Sequence, residues 1–518
     1  MPCRLGQRDA GREGPQRPAH PVMTTDWHAA ARRIAFDGRP FIGGDARAPR
    51  SRASFATDCP FTEQSLAMIA DGNAEDIDRA VSAARHCFAD GWRSIAPDQR
   101  QAHLHALADG IHAARDRLAL MDCLEMGMPI SNALGAVDEA VRFTRYYAAA
   151  IDQPRGEVVH ADAAHVLAMN WYEPRGVVGI ISSWNFPLLV AVAAIAPAIA
   201  AGNTVVAKPS PVAPSSVLAL ARIAAEAGLP PGVINAVAGG GETGAALAGH
   251  DDVDQIGFVG SAATGRRIMV AAGQSNGKPV MLEGGGKSPQ IVFADAVGLD
   301  GLADSIAASA FANSGQICVA RTRLLVERGI ADALIDWVRE ATARLFTVGD
   351  PLDPLVSYGP LASRAQQGRV QSYLDIGAAE KADHRVIATG GTMPEKGYFV
   401  PPGIFAAASG AMRVAREEIF GPLIALIPFS DEADAVRIAN DTPHGLAATL
   451  WTRDIGRARR MARDIDAGRI DIRASAAMGA PLHLMPAEPF GGSGHGVLGG
   501  QQGMRAYQRL KSVQIITG

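Results

Sequence analysis

Between positions 74 and 150 apolar residues recur at helical spacing, as in Asp76-Ile77-Asp78-Arg79-Ala80-Val81 and Arg142-Phe143-Thr144-Arg145-Tyr146-Tyr147. This stretch is predicted to be helical. From 177 to 258 the pattern changes. Short runs rich in Val, Ile and Ala, at 177–182, 204–207, 233–237 and 255–259, alternate with helical stretches. Such alternation predicts a parallel, doubly wound sheet. A second set of strand-like runs, at 289–293, 323–326 and 423–429, predicts a second α/β domain. A chain of 518 residues is also too long for one ordinary domain.

Residues 176–207 carry no charge, which raises the question of a membrane span. The longest strongly apolar piece, 188–201, has 14 residues and includes Pro197. That is short of the roughly 18–20 residues a span needs. A buried helix between two parallel strands fits better. Hydrophobic residues make up 48% and charged residues 20%, as in a globular protein. The net charge of -4 gives no basic footprint, so no nucleic-acid partner is expected. Five cysteines, at 3, 59, 87, 123 and 318, are odd in number and widely spaced. They argue for a reducing, cytoplasmic setting and against disulfides or a zinc site. The first 22 residues hold four arginines and four prolines without an apolar core. Residues 1–23 are read as a disordered tail, neither a secretory signal nor a targeting helix.

Four segments carry candidate chemistry. Phe311-Ala312-Asn313-Ser314-Gly315-Gln316-Ile317-Cys318 sets one thiol among small and amide-bearing residues. A buried helix over 305–313, broken by Gly315-Gln316, is expected to precede it. Such a thiol attacks carbonyls once a base has taken its proton, although a lone cysteine is often only a small core residue. Met281-Leu282-Glu283-Gly284-Gly285-Gly286-Lys287-Ser288-Pro289 places one carboxylate at the end of an apolar strand. Desolvation would raise Glu283 into the range of a general base, the alternative being a structural carboxylate at a glycine turn. Asn185, in Ser183-Trp184-Asn185-Phe186-Pro187, follows the run 176–181 and sits where α/β sheets bind ligands. Its amide suits an oxyanion. Finally, 256–265 reads as strand, glycine turn and helix start, a seat for pyrophosphate at Gly260 and Ser261.

These segments, in this order, resemble the aldehyde dehydrogenase superfamily. The resemblance rests on Trp184–Pro187, Lys208-Pro209-Ser210, Phe258–Gly265, Glu283–Pro289, Phe311–Cys318, Glu417–Pro422 and Pro489–Gly492, and runs from about Phe36 to the C-terminus. It implies two doubly wound domains plus a small β element. The NAD(P)-binding domain would span 24–152 and 175–285, the catalytic domain 286–480, and an oligomerisation element 153–174 with 500–518. The apolar runs 166–169 and 513–516 suit edge strands that pair subunits into a homodimer or homotetramer.

The implied reaction is NAD(P)-dependent oxidation of an aldehyde to its acid. Cys318 would form a thiohemiacetal held by Asn185 and the Cys318 backbone N–H, and hydride loss would leave a thioester. Glu283 would activate the water that cleaves it. Among cofactor contacts, Lys208 would reach the adenosine ribose and Gly240 and Gly244 would make room for adenine. Gly260 and Ser261 would face the pyrophosphate, while Glu418 and Phe420 would hold the nicotinamide riboside. Ile181, Trp184 and Gly284 complete the set.

Several positions depart from the family's pattern. Pro211 stands where NAD-specific members carry a Glu that accepts the ribose hydroxyls and repels a 2′-phosphate. NADP is therefore expected to be tolerated beside NAD. Ala194 and Leu498 replace a Lys and a Glu that relay protons in many members. Gly284 replaces a common leucine, Arg473 a usual asparagine, and Ser493-Gly494-His495-Gly496 follows Pro-Phe-Gly-Gly about three residues early. Ile317 and Val319 flank the thiol, and Ala193 replaces a bulky aromatic. Together they favour a medium-sized apolar aldehyde. The rivals are a CoA-acylating or acyl-phosphate reductase of the same fold, which typically lacks the Glu, and a catalytically silent structural relative.

Overall fold

The computed structural model describes residues 25–153, 156–160, 165–477 and 479–517. The tail expected at 1–23 lies outside the described residues. The helical region resolves into Ala74–Ala89, Pro97–Ala113, Arg115–Met126 and Ile130–Ala149. The first is closed by Asn73, whose side chain accepts from the Asp76 N–H while Asp76 reaches back to the Asn73 N–H. This reciprocal cap satisfies two donors that a helix start leaves unpaired.

An eight-stranded sheet runs in the order Asp45–Ala46, Phe41–Ile42, Ile234–Ala236, Thr204–Lys208, Val177–Ile181, Gln255–Val259, Val280–Glu283, Gly494–His495. Its central five strands are parallel, and the outer strands on both sides pair antiparallel. The charge-free segment forms the helix Pro187–Ala200, buried among other helices between two of these strands. Pro197 gives up one main-chain bond within it. Burying its Leu, Ile and Val side chains, at about 1.5–3 kcal/mol each, outweighs that loss. No helix among the described residues is long and apolar enough to cross a membrane.

A seven-stranded sheet follows in the order Asp383–Val386, Gly403–Ala406, Leu423–Phe429, Arg323–Glu327, Pro289–Val292, Ala447–Trp451, Arg469–Arg473, parallel except for the first pair. Cores lie on both of its faces. A third, antiparallel sheet joins Gln508–Ile516, Val166–Pro174 and Gly156–Val159. Its two outer strands expose Val158, Leu510 and Ile516.

Two local expectations need correction. The run 166–169, expected at an edge, lies in the central strand of the third sheet, between Gln508–Ile516 and Gly156–Val159, so only the run 513–516 is at an edge. The helix before the thiol ends at Phe311, and the break comes at Asn313 and Ser314, ahead of Gly315-Gln316. Both residues adopt left-handed backbone angles, with φ of 50° and 54°. A helical sequence pattern does not reveal such a turn, because tertiary hydrogen bonds impose it.

Candidate active site

The eight-stranded sheet has a switch point. From Val177–Ile181 the chain moves to one side, through Thr204–Lys208, and later returns to the other side at Gln255–Val259. Open α/β sheets bind ligands beyond the carboxyl ends of strands at such a point. The candidate residues cluster there: Ile181, Lys208 and Glu283 end their strands, while Asn185 and Gly260 lie just beyond theirs.

A cavity of about 270 Å³ is bordered by nine of the thirteen candidates: Cys318, Glu283, Asn185, Trp184, Gly260, Ser261, Gly284, Glu418 and Phe420. The other four lie apart from it. Ile181, Lys208 and Gly244 are mutual neighbours, since a Cβ on Gly244 would sit 3.8 Å from Lys208 Cδ and 4.0 Å from Ile181 Cδ1. Gly240 borders a second cavity, of about 530 Å³, together with Pro211.

The thiol is held by a strained loop. Asn313, Ser314 and Gly315 are three successive left-handed residues. Such a conformation costs roughly 1–2 kcal/mol at each non-glycine position. Fixed hydrogen bonds compensate. Asn313 Nδ2 donates to the Asn185 carbonyl (2.9 Å) and Ser314 Oγ to the Gly359 carbonyl (2.6 Å). Gln316 Nε2 donates to the Asn313 carbonyl (3.0 Å), and Gln316 Oε1 accepts from the Ala362 N–H (2.9 Å). Gly315 is obligatory here, because a Cβ would lie 2.3 Å from the Gly421 carbonyl oxygen.

Asn185 is bound to the same loop. Its Nδ2 donates to the Gln316 carbonyl at 3.0 Å, and its Oδ1 accepts from Ser183 Oγ at 2.7 Å. A carboxamide has two N–H donors, so one remains to serve an oxygen in the cavity.

Burial governs the titratable groups. It pushes the Glu283 carboxyl up to about 8, with the Glu488 carboxylate adding to the effect. Glu283 Oε1 has no hydrogen-bond partner. Burial likewise pushes the half-buried Cys318 thiol up to about 12, with Glu283 and then Glu418 contributing. The thiol is therefore protonated at neutral pH and needs a base before it can attack.

Glu418 is also raised by burial, while the Gly286 N–H, donating to Oε1 at 3.1 Å, acts in the opposite direction. A Cβ on Gly285 would lie 1.9 Å from Glu418 Oε2, so a side chain there would displace this carboxyl. Phe420 has a left-handed φ of 60° and meets Trp184 edge to face, with centroids 5.4 Å apart.

Two residues that sequence reasoning missed fix this turn. Gln366 Nε2 donates to the Phe420 carbonyl (2.7 Å) and Arg369 Nε to the Ile419 carbonyl (3.1 Å), and both side chains border the cavity. They sit on the ordinary polar helix Arg364–Ala379, which carries no motif that would reveal them. Ser493 was legible only as an early turn. It is fully buried, and its Oγ donates to the Gly285 carbonyl (2.7 Å) and accepts from the Gly445 N–H (3.0 Å).

Among the departures, Ala194 is buried in the helix Pro187–Ala200, and Leu498 packs on the same core. Two apolar side chains thus occupy the paired positions and no charge is stranded. Arg473 lies over the Trp451 ring at 5.8 Å.

The sequence profile of the aldehyde dehydrogenase family matches residues 47–513. The chain is 42% identical over 447 residues to an NADP/NAD-dependent aldehyde dehydrogenase of Escherichia coli, covering 86% of this chain and 89% of that protein. Among solved structures it is similar to the indole-3-acetaldehyde dehydrogenase of P. syringae in complex with NAD+, with a TM-score of 0.91 and 39% identity over 95% of this chain and 99% of that one. It is likewise similar to the gamma-glutamyl-gamma-aminobutyraldehyde dehydrogenase of Burkholderia cenocepacia, with a TM-score of 0.90, 39% identity and the same coverage.

Proposed function

This chain belongs to the aldehyde dehydrogenase family, and from that premise we propose that Cys318, Glu283 and Asn185 carry out its reaction. The enzyme oxidises aldehydes with NAD(P)+. The observation that carries the assignment is the single cavity bordered by thiol, carboxylate and amide.

The residues fit a nicotinamide dinucleotide. Ser261 caps the helix Ala262–Gln274, whose start opens on the cavity and suits a pyrophosphate. Glu418 and Phe420 border the same space and suit the nicotinamide riboside. When bound, the nicotinamide supplies the hydride acceptor. The Cys318 sulfur adds to the aldehyde carbon as its proton passes to a nearby base. The free N–H of Asn185 and the Cys318 backbone N–H stabilise the oxyanion. Once hydride has left, Glu283 takes a proton from water, and the hydroxide displaces the Cys318 sulfur from the thioester. The presence of this carboxyl on the cavity with the thiol favours water as acceptor over CoA or phosphate.

The finer points rest on separate features. Half-buried Ile317 and Val319 beside the thiol support a medium-sized apolar aldehyde. The free edges of the three-stranded sheet support assembly into a homodimer or homotetramer. Each large sheet with its own cores supports separate cofactor-binding and catalytic domains. The free cysteines 59, 87, 123 and 318 support a reducing cytoplasm.

A turnover screen of NAD+ and NADP+ across an aldehyde panel tests the central assignment. Reduced nucleotide should accumulate with the native enzyme and vanish with Cys318→Ala. Undiminished turnover in that variant would remove Cys318 from the mechanism.

A further inference from the structure

The second cavity contains a carboxylate even though position 211 supplies none. Asp71 follows the strand Gln64–Ala70 and borders this space beside Pro211 and Gly240. Its position is built in from several sides. The Asp71 N–H donates to the Ala53 carbonyl (3.0 Å), and the next N–H, of Gly72, donates to the Ala238 carbonyl (2.9 Å). Thr243 Oγ1 donates to the Gly72 carbonyl. A Cβ on Gly72 would lie 2.4 Å from Val237 Cγ1, so the two loops meet closely. The Asp71 carboxylate itself accepts from the Gly240 N–H at 3.1 Å through Oδ1. Asp71 is also near enough to Lys208 to counter the effect of burial on that ammonium, which burial brings down to about 8.

We propose that Asp71 sets the preference between NAD+ and NADP+, its carboxylate accepting the adenosine ribose hydroxyls and repelling a 2′-phosphate. The proposal rests on the reading of Lys208 and Gly240 as the adenosine end of the cofactor site. Gly240 occupies Oδ1, and Oδ2 keeps its lone pairs for a donor such as a ribose diol. A phosphate brings a charge near -2 into the same space, and like charges a few ångströms apart repel strongly where water is partly excluded. The Lys208 ammonium counters this in part, while the charges on the rim do not. Arg364, on the rim, pairs with Glu63 Oε2 and lies over the Tyr398 ring at 5.2 Å. Asp58, also on the rim, has the same sign as Asp71. The loss of a carboxylate at 211 is thus offset by one arriving from another strand. NADP+ is accepted, but less tightly than NAD+.

Isothermal titration of NAD+ and NADP+ into the full-length enzyme tests this without turnover. Asp71→Asn keeps an acceptor for the Gly240 N–H and removes only the charge. Its Kd for NADP+ should fall on the order of tenfold while its Kd for NAD+ rises by less. Asp71→Ser, a second neutral variant, should shift the ratio in the same direction, and Asp71→Glu should keep the native preference. An unchanged NADP+/NAD+ ratio in both neutral variants overturns the proposal. Lys208→Met separates the two readings. If it weakens both nucleotides while the neutral variants leave the ratio alone, the pocket assignment stands and Asp71 is excluded. If it alters neither Kd, the adenosine reading itself fails.

Discussion

Gly284 and Ser493 meet main chain to main chain: the Gly284 N–H donates to the Ser493 carbonyl at 2.7 Å, and a Cβ on Gly284 would come within 2.9 Å of that oxygen. Two departures that look independent in the sequence are therefore one. The early turn after Pro-Phe-Gly-Gly brings Gly494–His495 alongside Leu282 and Glu283, and its approach leaves no room for a side chain at 284. Gly284→Ala should destabilise the enzyme by about 1–3 kcal/mol, the usual penalty for forcing atoms into a packed site. A denaturant midpoint indistinguishable from native would show that the strand Gly494–His495 yields freely.

Asn185 should matter far more to turnover than to folding. Its Nδ2 bond to the Gln316 carbonyl is one of several that hold the thiol loop, and Asn313 and Gln316 keep the others. Asn185→Ala should lower kcat by roughly 10²–10³, the cost of losing an oxyanion donor. Thermal melting measured beside the kinetics should show only a small loss. A large fall in melting temperature with near-native kcat would make Asn185 a structural residue.

Much of this was legible in the sequence because each element announces itself locally. The runs at 177–182 and 255–259, the charge-free helix and the glycine turns carry their own periodicity. Glu283 ends its strand and Asn185 and Gly260 lie just beyond theirs, where such patterns break. What stayed hidden depends on distant contacts. Asn313 and Ser314 take left-handed angles because Asn185 and Gly359 hold them there, and nothing within the segment signals it. Gln366 and Arg369 clamp the Phe420 turn from a helix that reads as ordinary surface. Asp71 carries no motif and enters its cavity only because a strand end is fastened to the loop at 238–243.

The pH profile should report Glu283. A general base works when deprotonated, so kcat for acyl-enzyme hydrolysis should rise about tenfold per pH unit below about 8 and level off above it. Glu283→Gln should abolish the rise and leave Cys318 trapped as an acyl adduct, visible as added mass in the intact protein. The variant should also ionise its thiol more readily, because a neighbouring negative charge is gone. Iodoacetamide should therefore label Cys318 faster in Glu283→Gln than in the native enzyme at equal alkaline pH. Slower labelling would mean that Glu283 acts on the thiol chiefly by accepting its proton.

Stability should fall as pH rises through neutrality, because two carboxyls are buried that do not line the cavity. Burial pushes Glu125 up to about 8, although Ser215 donates to it from both N–H (3.0 Å) and Oγ (2.6 Å). Burial pushes Asp122 up to about 7, with Ser216 and the Leu188 N–H opposing. Both values lie above those of the unfolded chain, so the native state retains protons that the unfolded state releases. The stability this provides is fully present below about pH 4, declines as pH rises through 7 to 8, and is gone above. Each tenfold change in proton affinity is worth about 1.4 kcal/mol. Glu125→Gln keeps the size of the side chain and removes its titration, so its melting temperature should gain on the native protein as pH climbs from about 5 to 9. Calorimetric scans across that range check the sign. A difference between variant and native protein that stays constant across that range would show that Glu125 is already ionised in the fold, held as an anion by the start of the helix Ser215–Glu226.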